Sequence, residues 1–167
     1  KRFLCDVELQ NGSQIVAHLA DRGRLEDIMI PGATVYVSHQ PSPTRKTEYS
    51  LVMVDTGSVS EQVTVCVDPA GANRLVEELL SRRLLRPWTK ARSWKREVRY
   101  GRSRFDFEIQ LPKQRSCLLE VKSVVAARNS TGLFPDAPSE RARRHCEELS
   151  ELASSGRETA IVLVAQR

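Results

Sequence analysis

Three charged side chains break runs that are otherwise apolar and strand-like. Asp106 lies between Phe105 and Phe107, while Glu120 and Lys122 interrupt Leu118-Leu119-Glu120-Val121-Lys122-Ser123-Val124. Strand side chains alternate between faces, so Glu120 and Lys122 share one face while Leu119 and Val121 share the other. If the two runs pair as neighbouring strands, Asp106 comes close to Glu120. Adjacent carboxylates repel and need a compensating cation. A hard divalent ion with oxygen ligands, Mg²⁺ or Mn²⁺, suits them. Such an ion polarises a phosphodiester and lowers the pKa of a bound water. Lys122 would hold or activate that water, or neutralise phosphoryl oxygens. Asp followed by Glu-x-Lys on consecutive strands is thus the pattern of a metal-dependent nuclease. The bland alternative is a cross-strand ion pair on a solvated face. Glu97 is a further candidate ligand, or else an ion-pair partner for Arg99 or Arg104. Glu108 is expected on the face of Asp106, as a surface charge.

The elements that must position these residues follow from period and punctuation. Strand-like runs occur at 3–9, 14–19, 34–37, 49–54 and 63–67, with Asn11-Gly12 suited to a tight hairpin turn. Pro31-Gly32 and the stretch 41–46 read as loops. So many short strands in so short a segment suggest a small barrel or sandwich, an OB-like barrel being one candidate. The period then changes. Leu75, Val76, Leu79, Leu80 and Leu84 recur at helical spacing and predict a helix over 72–85, capped by Asp68 or Asn73 and stopped by Pro87. Strands are expected at 97–100, 104–111 and 118–124. A helix opened by Asp136 or Ser139 follows to about Ser154, closed by Gly156. The apolar run 159–165 reads as a strand buried on both faces. The order is β-rich to residue 68, then α-β-β-β-α-β over 69–167, and these are the expected domains.

A basic segment precedes the candidate acids. From Arg82 to Arg104 there are ten Lys or Arg residues and one acid, Glu97, interleaved with Trp88, Trp94 and Tyr100. Phosphates attract such cations, and unpaired bases stack on aromatic rings. The expected nucleic-acid contacts are Lys90, Arg92, Lys95, Arg96, Arg99, Arg102 and Arg104, with Lys1, Arg2, Arg45 and Lys46 extending them. The tryptophans fit better as anchors of a loop on the core. Arg141, Arg143 and Arg144 read as helix partners of Glu140, Glu147 and Glu148. The net charge of +5 and pI near 9.3 agree with a polyanionic partner. No apolar run approaches the length of a membrane span. The chain begins at Lys1 and not at Met, so the lack of a targeting segment carries little weight. Cys5, Cys66, Cys117 and Cys146 form no CxxC pair, which argues against structural zinc. Cys66 and Cys117 read as core residues. Reduced thiols fit a cytoplasmic protein without membrane attachment. His18, His39 and His145 are scattered and form no ligand pattern.

Several stretches together resemble the sugar fermentation stimulation protein A (SfsA) family. They are Lys1-Arg2-Phe3-Leu4, Ile30-Pro31-Gly32, Arg45-Lys46-Thr47, Asn73-Arg74-Leu75, Glu97-Val98-Arg99-Tyr100-Gly101, Ser103-Arg104-Phe105-Asp106-Phe107, Leu119-Glu120-Val121-Lys122-Ser123 and Phe134-Pro135-Asp136-Ala137 with Glu140-Arg141. They run nearly end to end and in order. The resemblance implies an N-terminal OB-like β-barrel followed by a PD-(D/E)xK nuclease-like α-β-β-β-α-β domain. It implies DNA binding and nuclease activity, with Asp106, Glu120 and Lys122 at the motif positions. Two departures stand out. The family usually shows Pro-Asn-Thr-Gly where this chain has Ala20-Asp21-Arg22-Gly23, and Phe105 stands where the superfamily label has Pro. Family members usually continue beyond Arg167 with further helix and strand. Asp136 reads as a helix cap, with a substrate contact as the alternative.

The leading expectation is a Mg²⁺-dependent nuclease acting on DNA or RNA. The alternatives are a DNA-binding regulator of sugar metabolism with an inactive nuclease fold, and an adaptor that binds RNA or protein through its β half.

Overall fold

The computed structural model describes residues 3–21, 23, 25–57, 62–128, 130–135 and 138–167. The chain divides into two compact units. The first holds Lys1–Gly71, Val124–Ala137 and Ala165–Arg167; the second holds Ala72–Ser123 and Pro138–Val164. The first unit therefore gathers two later segments as well as the N-terminal β-rich stretch.

The first unit is a five-stranded sheet of β1 (Leu4–Glu8), β2 (Gln14–His18), β3 (Val35–His39), β4 (Tyr49–Thr56) and β5 (Val63–Cys66). The β1–β2 hairpin closes over Asn11-Gly12, where Gly12 takes φ 82° and donates to the Leu9 carbonyl at 2.8 Å. Ile30-Pro31-Gly32-Ala33 forms a turn closed by Ala33 N–H on the Ile30 carbonyl, with Gly32 at φ 83°. That conformation at the third position favours glycine. The long strand β4 organises the sheet. It pairs with β2 in parallel and with β3 and β5 antiparallel. Inward side chains of these strands, among them Val7, Ala17, Leu51, Val54 and Val65, fill one core with Leu25, Ile28, Val67 and Val125. Leu51 and Val54 lie on either side of a register shift in the β3–β4 pairing.

In the second unit, the sheet order is β11-β8-β7-β6, from β6 (Ser93–Tyr100), β7 (Ser103–Gln110), β8 (Ser116–Val124) and β11 (Glu158–Ala165). The two-residue strands β9 (Ala127–Arg128) and β10 (Thr131–Gly132) belong to the first unit. Helix α1 (Pro69–Ser81) begins at Asp68, whose carboxylate accepts from Ala70 N–H at 3.0 Å. It ends before Leu84, which is 62% exposed, so the helix is shorter than its leucine pattern suggested. Arg83 at φ 58° turns the chain there. Helix α2 (Glu140–Ser154) starts at Ser139, whose hydroxyl accepts from Ala142 N–H at 3.2 Å. Asp136, the other cap candidate, lies outside the described residues.

The helices pack on opposite faces of the sheet. Ala72, Val76 and Leu80 of α1 meet Phe107, Ile109, Cys117, Leu119 and Val121, whereas Leu149 and Leu152 of α2 meet Phe105 and Leu118. Phe105 and Phe107 are wholly buried and each stabilises the fold by about 3 kcal/mol through apolar burial. Trp88 is buried in the α1-side core, and Trp94 packs against it while its indole N–H donates to Glu77 at 3.2 Å. The tryptophans are therefore anchors, as expected.

The run 159–165 departs from expectation. It forms an edge strand, and Ile161 and Leu163 are 43% and 56% exposed. Ala160, Val162 and Val164 pack on the α1-side core, so one face is covered, whereas burial of the Ile161 and Leu163 face would need a further element packed over it. No helix among the described residues is long and apolar enough to cross a membrane.

All four cysteines are free; Cys117 is buried, Cys66 only half-buried, and Cys146 exposed. Burial pushes the Cys117 thiol up to about 11. At pH 8, iodoacetamide should therefore modify Cys146 readily and Cys117 only after unfolding, since the thiolate is the reacting form. Mass mapping of the labelled peptides checks this; equal labelling of both in the native state would contradict the packing of β8.

Candidate functional site

Strands β6 and β7 keep one antiparallel register from Ser93↔Gln110 to Tyr100↔Ser103, yet their faces exchange midway. Trp94 and Phe107 pack on the α1 side, but Val98 and Phe105 pack on the α2 side. Simple alternation would place Phe105 with Phe107. The exchange falls where the ladder skips from Arg96↔Phe107 to Val98↔Phe105, at Glu97, which takes φ 55°. A left-handed residue inside a strand rotates the peptide planes that follow, at a cost of about 1 kcal/mol for a residue other than glycine. The β7–β8 ladder ends at Phe107↔Leu119, next to that point.

Asp106 stands at this break, and its carboxylate takes over where the ladder stops. Oδ2 accepts from the Val121 backbone N–H at 2.7 Å, and Oδ1 accepts from Asn73 Nδ2 on α1 at 2.8 Å. Asp106 is therefore tied both to β8, beside Glu120, and to α1. Glu108 is not a free surface charge sharing that setting. It pairs with Arg157 at 2.5 Å and is largely buried.

Glu120 is 3% exposed. Its Oε1 accepts from Lys122 Nζ at 2.5 Å and lies 2.7 Å from His145 Nδ1. A carboxylate that accepts from lysine leaves His145 the donor, with its proton on Nδ1. His145 is itself 2% exposed and packs against the Phe105 ring, 5.6 Å between centroids. Glu120 Oε2 is buried with no hydrogen-bond partner. An unpartnered carboxylate oxygen in the interior is costly, and it normally finds a proton donor or a cation.

Asp106 and Glu120 are thus linked through β8, where the Val121 N–H that binds Asp106 follows Glu120 in the chain; Glu97 is not. Glu97 falls in the gap of the β6–β7 ladder between Arg96↔Phe107 and Val98↔Phe105, and its carboxylate pairs with Arg104 at 2.6 Å. Among the described residues, no group of three or more His, Cys, Asp or Glu side chains is arranged to hold a metal. The two acids present still fit a hard cation. Glu120 Oε2 is open, each Asp106 oxygen retains a second lone pair, and Mg²⁺ ordinarily keeps several waters while taking one or two carboxylates.

The expected cations divide into two sets. Arg96 pairs with Glu77 at 2.8 Å and Arg104 with Glu97. Lys90, Arg92, Lys95, Arg99 and Arg102 are exposed, and none makes an ion pair among the described residues. In the first unit, Arg45 is half-buried and Lys46 exposed. Lys1 and Arg2 lie outside the described residues. Arg143 bridges Glu140 and Glu147 at 2.9 and 2.6 Å, the structural role expected of it.

Two residues of the site were not legible as such. Asn73 lies in a stretch that carries the family resemblance but reads there only as a possible cap. His145 falls with Leu149 and Leu152 on the buried stripe of α2, and a polar residue on an apolar stripe was the available signal. Replacing His145 with Phe removes a donor to a buried carboxylate and should destabilise the chain by about 2 kcal/mol. Urea unfolding at neutral pH measures this, and a change below about 0.5 kcal/mol would show that Glu120 does not depend on the imidazole.

Comparison with known proteins divides the chain once, between residues 67 and 70. Residues 1–67 match the family model for the SfsA N-terminal OB domain, and residues 70–167 match that for the sugar fermentation stimulation protein RE domain. A sugar fermentation stimulation protein homolog of Clostridium kluyveri is 34% identical over 99% of this chain and 70% of its own length. One from Chloroflexus aggregans is 39% identical over 96% of this chain and 60% of its own length. The structure of Pyrococcus furiosus SfsA in complex with Ca²⁺ superposes with a TM-score of 0.85 at 31% identity, covering 99% of this chain and 68% of that one. The OB-type first domain and the mixed α/β second domain are thus the fold of these relatives, and the chain belongs to the sugar fermentation stimulation protein (SfsA) family.

Proposed function

We propose that this chain is a nucleic-acid-binding protein and a divalent-metal-dependent nuclease, with Asp106, Glu120 and Lys122 as its reaction centre. The observation that carries the reading is Glu120 Oε2, a buried carboxylate oxygen without a partner, one residue from the Val121 N–H that binds Asp106. The P. furiosus relative is solved with Ca²⁺, a hard cation of the class that oxygen ligands prefer. Asp106 and Glu120 would hold Mg²⁺ or Mn²⁺ here. When bound, that ion supplies Lewis acidity toward a phosphodiester and toward water. The chain's own residues do the rest. Asn73 and Val121 N–H fix both Asp106 oxygens, so the carboxylate has one orientation. Lys122 and His145 fix Oε1 of Glu120 in the same way. Lys122 keeps two further N–H groups with which to meet a phosphoryl oxygen or orient a water. The exposed, unpaired Lys90, Arg92, Lys95, Arg99 and Arg102 attract the phosphate backbone of DNA or RNA. A cytoplasmic setting belongs to the same proposal, in keeping with the free cysteines.

A second reading is a nucleic-acid-binding regulator that does not cut. It is favoured by the engagement of both Asp106 oxygens and by the lack of a third acid among the described residues. Purified chain incubated with single- and double-stranded DNA and RNA separates the two. Cleavage is expected with Mg²⁺ or Mn²⁺ and not with EDTA, and Asp106→Ala should slow it by at least about 100-fold. Binding without metal-dependent cleavage, or cleavage unchanged in Asp106→Ala, would sink the nuclease reading.

A further inference from the structure

The first unit carries a concavity that the acids of the second unit do not explain. It has a volume near 500 Å³ and is lined by Leu4, His18, Arg45, Lys46, Thr47 and Ser50. No acid lines it. Its floor is set by strand register. Leu4 pairs with His18 across β1 and β2, and His18 pairs with Ser50 across β2 and β4. Directly opposed residues share a face, so these three side chains form a row across adjacent strands. The wall is the 45–47 loop before β4.

Arg45 is the informative residue. Its guanidinium donates to Gln40 Oε1 at 2.8 Å and to Ser50 Oγ at 2.5 Å, and both partners are neutral. Among the described residues, no carboxylate pairs with Arg45 or Lys46. The nearby Glu48 is turned to His39, 3.5 Å away. Arg45 is thus a half-buried cation, held in one orientation, whose charge is not compensated. A loop staple alone would be served by an uncharged side chain. A fixed, uncompensated guanidinium beside a second cation and a ring N–H is what a phosphate recognises. Ser50 accepts from Arg45 through its oxygen, so its hydroxyl hydrogen is left to donate. Leu4 adds an apolar rim, 37% exposed, against which a sugar or base edge can lie.

We propose that this pocket is a phosphate-binding site on the OB-type unit, occupied by a backbone phosphate of a nucleic-acid strand. The proposal deepens the nucleic-acid half of the reading above and rests on it, but it is independent of the acids and of any cleavage. The test uses the full chain in EDTA, with a fluorescein-labelled single-stranded 20-mer followed by anisotropy across a salt series. The variant is R45Q/K46Q. The control is R141Q/R144Q, which removes the same charge from the exposed face of α2, and thermal unfolding verifies that both fold. The expected result is about tenfold weaker binding for R45Q/K46Q, with a salt slope lower by about 0.7, the value for one phosphate contact on a single strand. The control should retain most of the affinity.

Equal affinity and slope for R45Q/K46Q and the wild type would overturn the proposal, as would equal losses in R45Q/K46Q and the control. Wild type that binds no strand would instead defeat the nucleic-acid reading. Inorganic phosphate titrated against ¹⁵N-labelled chain then decides the pocket. Shifts confined to His18, Arg45–Thr47 and Ser50 uphold a phosphate site, and their absence removes it.

Discussion

The second unit depends on how one buried carboxylate is compensated. Glu120 is enclosed between the sheet and α2, and a charge placed there is tolerable only if its surroundings answer it. Lys122 and His145 answer Oε1. Nothing in the described protein answers Oε2. A buried carboxylate oxygen without a partner is costly, and the proposed cation is what would answer it. The same logic explains the placement of α2, whose apolar stripe seals the sheet while its one polar member reaches the acid.

Bringing the second acid alongside requires a distortion. A regular β7 would keep Phe105 and Phe107 on one face and leave Asp106 pointing away from α1. The left-handed Glu97 turns β6 over, β7 follows in register, and Asp106 comes within reach of Asn73 and of the Val121 N–H. Local strain of this kind persists where the surroundings over-determine it, and sites of chemistry are where it concentrates. Phe105 on the α2 core and Phe107 on the α1 core hold the two sides of the exchange, so core packing supplies the restraint that the backbone geometry needs.

Much of this was legible in the residues. The hairpin at Asn11-Gly12, the change of period after residue 68 and the α-β-β-β-α-β order follow from turn chemistry and hydrophobic spacing, and the structure has them all. Asp106, Glu120 and Lys122 stand out because charges inside apolar strands are conspicuous. What escaped was non-local. No pattern in α1 or α2 announces that Asn73 and His145 reach across to those acids. Strict alternation misplaced Glu108, because the face exchange depends on one backbone dihedral at Glu97. The run 159–165 misled because apolarity fixes the strand but not whether a neighbour covers it.

The cations separate likewise into those that serve the fold and those left over. Arg96, Arg104, Arg143 and Arg157 are spent on acids, whereas Arg92, Lys95 and Arg99 are not. Only the latter class leaves charge available to a polyanion. The central claim remains the open oxygen of Glu120, and crystals soaked in Mn²⁺ test it most directly. Anomalous density within about 2.5 Å of Glu120 Oε2 and beside Asp106 is the expected result. Density elsewhere, with Glu120 Oε2 bonded to a protein donor, would contradict it.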